Sequence, residues 1–144
     1  MQRLHATCIA LDGTGVLLTG RSGAGKSDLA LRAIDAGAVL VADDQVELRR
    51  AGGVLTARAP AILAGLLEVR GVGLIRLPYQ ADAPLGLVAE LVPPEQVPRL
   101  PGAGVTDFLG IVVPRLLLAP FEASALAKLR LAARIATGHI MRAP

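Results

Sequence analysis

The chain has 144 residues, 53% hydrophobic but only 2% aromatic, with a net charge of +3 and a pI near 9.8. That size suits one compact domain over residues 1–144 with an aliphatic core, and the scarcity of rings argues against a stacking surface for single-stranded nucleic acid. The basic residues are scattered, so no nucleic-acid partner is expected; the lone Cys8 excludes an internal disulfide, and the lack of a signal-peptide core or membrane-length apolar run points to a soluble protein of the reducing cytoplasm, with no membrane partner.

In chain order, residues 4–10 and 15–19 read as two strands joined by the turn Leu11-Asp12-Gly13-Thr14. The second strand runs into Gly20-Arg21-Ser22-Gly23-Ala24-Gly25-Lys26-Ser27, and residues 27–36 follow with helical spacing of Leu29, Ala30, Ala33 and Ile34 before Gly37. Residues 38–42 form a short apolar strand ending at Asp43-Asp44. Residues 45–50 and 53–58 pair as a hairpin through Ala51-Gly52. The Gly-rich stretch 60–78 reads as loop with one helical turn at most, 85–92 as a strand, 93–104 as a Pro-rich loop, 111–118 as a strand, and 122–136 as a helix between Pro120 and Gly138. The fold expected is α/β: a mixed β-sheet flanked by helices around a P-loop.

Gly20, Gly25, Lys26 and Ser27 meet the G-x-x-x-x-G-K-[ST] pattern, in the strand–loop–helix setting the motif requires. Its glycines let backbone N–H groups ring a phosphate at a helix N-terminus, Lys26 neutralises the outer phosphates, and the Ser27 hydroxyl is a ligand for Mg²⁺. Thirteen arginines against two lysines, Lys26 and Lys128, make the choice of lysine here informative, since a compact ammonium enters a phosphate cradle better than a guanidinium fork. Asp43 and Asp44 stand where the chain returns beside the loop. One carboxylate there can serve a metal and another can accept a proton, and only one of two adjacent extended residues can face the phosphate.

The P-loop, Leu40-Val41-Ala42-Asp43-Asp44, and Leu67-Glu68-Val69-Arg70-Gly71-Val72-Gly73-Leu74-Ile75 together resemble the catalytic domain of bacterial HPr kinase/phosphorylase, with an HPr kinase/PEP carboxykinase-like fold. The resemblance is strongest from His5 to Ile75. It implies an ATP- and Mg²⁺-dependent serine kinase whose acceptor is the phosphocarrier HPr or its nitrogen-branch paralogue, assembled as a hexamer. Residues 20–27 would bind the nucleotide and Lys26 its phosphates; Asp43 would be the base, and Ser27, Glu68 and Asp44 would serve the metal. His5 would be the active-site histidine, Arg70 would lie near the transferred group, and Arg99 would match a later catalytic arginine. Taken without the resemblance, His5 reads as a half-buried strand histidine, Glu68 and Arg70 as a surface ion pair, and Arg99 as solvated loop.

Two departures qualify the implied activity. The family usually carries an N-terminal domain before the kinase core, whereas this sequence opens almost directly at the first core strand, so a short form is expected. Before the last helix, where the family has a Pro-x-Arg-Pro-Gly-Arg loop tied to dephosphorylation, the chain reads Ala119-Pro120-Phe121-Glu122-Ala123-Ser124, without the cation that phosphate attacking phosphoserine needs. Kinase activity without phosphorolysis is therefore expected. A small-molecule kinase or nucleotide hydrolase on the same loop, and a nonenzymatic nucleotide-binding module, are the alternatives.

Overall fold

The structure, a computed structural model, describes residues 1–102 and 104–143. Its elements in order are β1 (Gln2–Leu4), β2 (Thr7–Leu11), β3 (Thr14–Thr19), α1 (Lys26–Asp35), β4 (Val39–Ala42), β5 (Val46–Ala51), β6 (Val54–Arg58), β7 (Leu66–Val69), β8 (Gly73–Arg76), β9 (Ala83–Leu91), β10 (Val105–Phe108), β11 (Ile111–Leu118) and α2 (Ala125–Ala136), with short 3-10 turns at Ala61–Leu63 and Pro94–Gln96.

Nine strands join one mixed sheet, in the order β1-β5-β6-β9-β3-β2-β4, with β11 also on β9 and β10 on β11. The β2–β3 turn is tight because Asp12 and Gly13 both take positive φ (50° and 82°), the requirement of a hairpin turn matched to strand twist. β3, β9 and β11 run parallel, and β4 is antiparallel to β2, which is antiparallel to β3. The C-terminal ends of β3, β4, β9 and β11 therefore meet at one edge of the sheet, where ligands of open α/β sheets bind.

Alternation along the strands divides the core in two. Ile9, Leu11, Val16, Leu18, Leu87, Ala89 and Leu91 face both helices, meeting Leu29, Ala30 and Ala33 of α1 and Leu129, Ala132 and Ala133 of α2. Leu29 and Leu129 are fully buried, each contributing about 1.5–3 kcal/mol. Cys8, Ala10, Leu17 and Val88 face the other side, where the sheet curls over and Val46, Leu48, Leu55 and Ala57 close the second core. Both faces of β2 are thus covered, which is why it is apolar from Cys8 to Leu11. Both helices lie on the same face of the sheet, and strands cover the other. Burial pushes the Cys8 thiol up to about 12, so it is an inert core residue.

Three expectations are corrected. Residues 4–10 are two strands, since β1 leaves at His5 to pair with β5 while β2 pairs with β3 and β4. The stretch 60–78, read as loop, contains the β7–β8 hairpin. The interval 105–110, for which no element is expected, holds β10: Val105–Phe108 pairs with β11 up to Pro114, after which β11 changes partner to β9.

The curled layer carries a buried carboxylate. Glu47 accepts from Arg3 at 2.6 Å and from Arg58 at 3.3 Å. The Arg3 hydrogen bond is the main cause that holds its carboxyl below the ordinary value of 4.5. A group lowered in the folded state stabilises above its unfolded value and loses that contribution as pH falls. Glu47→Gln is expected to cost about 1 kcal/mol at neutral pH, screening by solvent at the arginines keeping it modest. Urea unfolding at pH 7 and at acid pH checks this: the difference from wild type shrinks once pH drops below 4.5.

Candidate functional site

The loop between β3 and α1 has the geometry of an anion cradle. Gly25, with φ of 103°, is the N-cap of α1 and carries no side chain to occupy the N–H groups of the helix's first turn. Those donors and the positive end of the helix dipole are left for a phosphate. Lys26 is 8% exposed, and its Nζ donates to the carbonyls of Gly20 and Arg21, both at 2.9 Å. The ammonium thus already lies along the loop, held by neutral carbonyls that an anion can outcompete.

The acidic pair lies at the end of β4. Asp43 is 7% exposed; its Oδ1 accepts from Ser27 Oγ at 2.8 Å and from Thr7 Oγ1 at 2.9 Å, and its Oδ2 accepts from the Glu68 N–H at 3.3 Å. This one carboxylate ties together the first turn of α1, the start of β2 and the strand β7. Asp44 points away from it. The Gln45 N–H donates to the Asp43 carbonyl at 2.8 Å across a γ-turn that holds Asp44 at φ 69°, a strained setting for a non-glycine residue. Its side chain is 61% exposed, with Oδ1 3.3 Å from Nδ1 of His5.

These positions give the two aspartates different surroundings: Asp43 is enclosed and accepts three hydrogen bonds, whereas Asp44 stands out with His5. His5 is not half-buried, its side chain being 60% exposed. Glu68 and Arg70 make no ion pair among the described residues; Glu68 is an exposed residue of β7, and Arg70 begins the exposed turn of the β7–β8 hairpin. Arg99 does not join the cluster. It lines an adjoining groove of about 610 Å³ with Arg115, Lys128 and Arg142.

Two contributors escaped the sequence reading. Thr7 gives no signal beyond its strand position. The segment Pro120–Phe121, noticed only for lacking arginine, covers the phosphate loop: a methyl group at Gly25 would stand 2.8 Å from Phe121 Cζ and 3.4 Å from Pro120 Cγ. Beside it opens a cavity of about 940 Å³ bounded by Gly20–Ala24, Glu90–Pro94 and Ala119–Glu122.

Comparison with known proteins places this arrangement. The HPr kinase/phosphorylase of Clostridium novyi (strain NT) is 47% identical over 76 residues, covering 53% of this chain and 25% of that protein. That of Clostridium acetobutylicum is 46% identical over 76 residues, again 53% and 25%. The chain thus matches about a quarter of the length of these curated relatives. The solved structure of the Hpr(Ser) kinase/phosphatase from Coxiella burnetii superposes with a TM-score of 0.85 at 28% identity, over 97% of this chain and 100% of that one. The family model of the HPr Serine kinase C-terminal domain matches residues 1–80, which take in the phosphate loop, both aspartates and the β7–β8 hairpin, and the chain belongs to that family.

Proposed function

We propose that the chain transfers the γ-phosphoryl group of ATP to a serine hydroxyl of HPr or of its nitrogen-branch paralogue. The observation that carries this reading is the 2.8 Å hydrogen bond from Ser27 to Asp43, which joins the phosphate loop to the acidic pair. The relatives' names supply the acceptor.

Ser27 Oγ and the Asp43 carboxylate are hard oxygen donors, few in number, which suits Mg²⁺, an ion that takes one or two protein ligands and otherwise water and substrate phosphates. Bound there, Mg²⁺ neutralises charge on the phosphates. Lys26 leaves the loop carbonyls for the nucleotide phosphates, Glu68 borders the site through its backbone N–H on Asp43, and Arg70 is assigned to it by the family resemblance. Asp44, exposed and oriented by His5, takes the proton of the acceptor serine as its oxygen bonds to phosphorus and ADP leaves. The reading assigns the base to Asp44 and the metal side to Asp43, the reverse of what the family resemblance implies. Oligomerisation, as a hexamer, belongs to the same proposal.

Phosphorolysis is not part of it, because residues 119–124 carry no arginine where the family's dephosphorylation loop does. The test is incubation with Mg-ATP and the phosphocarrier, with intact mass and fragmentation as readout. One phosphoryl group on a serine is expected, and inorganic phosphate then fails to remove it. Nucleotide binding with an unmodified acceptor sinks the kinase reading in favour of a binding module, and phosphate release without acceptor favours a hydrolase.

A further inference from the structure

We infer that Phe121 is the platform on which the nucleobase of the bound nucleotide stacks, and that the cavity beside it is the nucleoside site. The inference rests on reading residues 20–27 as the phosphate cradle and names where the rest of the ligand lies.

The sheet edge sets the direction. The loop after β3 lies between two neighbours: on one side β2 and β4, bringing Thr7 and Asp43-Asp44, and on the other β9 and β11, whose ends carry Leu91–Pro94 and Leu118–Glu122. Transfer requires the terminal phosphate to point toward the acidic pair. The nucleoside end of the same molecule is then left toward β9 and β11, and the cavity lies there, its wall shared with Gly20–Ala24. At about 940 Å³ it falls within the ordinary range of small-ligand pockets, about 300–1,000 Å³.

The chemistry of the wall agrees. Leu91, Val92, Pro93, Pro94 and Phe121 make it largely apolar, and apart from Arg21 of the loop its charged side chains are the carboxylates of Glu90 and Glu122. Carboxylates repel a polyphosphate or an acidic peptide and tolerate the uncharged base. Phe121 is 71% exposed although its ring touches the loop at Gly25, so one part of the ring rests on the peptide chain and the rest is open to the cavity. Its place is held from below, since Arg32 of α1 donates to the Pro120 carbonyl and is itself paired with Asp28 at 3.1 Å. An exposed ring fixed beside a phosphate cradle is a preorganised stacking surface, one that costs little entropy on binding.

Calorimetric titration with ATP and with tripolyphosphate tests this, in wild type, Phe121→Ala and Phe121→Tyr. Phe121→Ala is expected to weaken ATP about tenfold, the worth of one base–aromatic stack, to leave tripolyphosphate unchanged, and to be rescued by tyrosine. Because the chain has no tryptophan, Phe121→Trp adds a single reporter whose emission ATP alters and tripolyphosphate does not. Unchanged ATP affinity in Phe121→Ala, or equal losses for both ligands, overturns the inference while the phosphate cradle stands. Failure of tripolyphosphate to bind wild type overturns the cradle and the inference together.

Discussion

Asp44→Asn is expected to lower serine phosphorylation by about 10²–10⁴-fold, the usual contribution of a general base, while Mg-ATP binds as in wild type. The amide keeps the shape of the side chain and its proximity to His5 but cannot take a proton at neutral pH. Asp43→Asn has a different signature. An amide nitrogen cannot accept, so at least one of the donors that Asp43 now satisfies, the Ser27 hydroxyl, the Thr7 hydroxyl or the Glu68 N–H, loses its acceptor in a site only 7% exposed. Weaker Mg-nucleotide binding and lower stability are expected together. Measuring kcat and nucleotide Kd for both variants separates the roles. If Asp44→Asn transfers normally and Asp43→Asn loses transfer with binding intact, the base is Asp43 and the assignment above is wrong.

Lys26→Ala is expected to reduce transfer by about 10²–10³-fold and to weaken ATP binding, because the ammonium neutralises phosphate charge in both the ground and transition states. Lys26→Arg should rescue little, since the guanidinium is broad and planar where the loop encloses a compact ammonium between the carbonyls of Gly20 and Arg21 at 2.9 Å. Steady-state kinetics with direct binding checks both variants; ATP bound by Lys26→Ala as tightly as by wild type counts against the cradle.

The elements legible in the sequence were those with a local signature. The expected helix over 27–36 is found at Lys26–Asp35, and the strand over 111–118 has the bounds expected. The β7–β8 hairpin was not legible because β8 buries nothing fully: Gly73, Leu74 and Arg76 are exposed, so no covered face imposes alternation. β10 was hidden for a related reason. It follows a Pro- and Gly-rich run, and among its residues only Phe108 is buried. The last helix begins at Ala125 rather than at Glu122, because residues before it are held over the phosphate loop.

Eight contiguous residues, Gly20 to Ser27, by themselves specify a glycine turn into a helix N-terminus, a short-range structure. The same holds for the presence of a carboxylate pair at a strand end. Which aspartate meets Ser27 was decided only by tertiary structure: the γ-turn at Asp44 turns two chemically identical neighbours to different surroundings, one enclosed by three hydrogen bonds and one beside His5. The exclusion of Arg99 and the arrival of Phe121 over Gly25 were decided there too. Both depend on the parallel ends of β3, β9 and β11 meeting at one sheet edge, a long-range pairing that no local window of sequence contains.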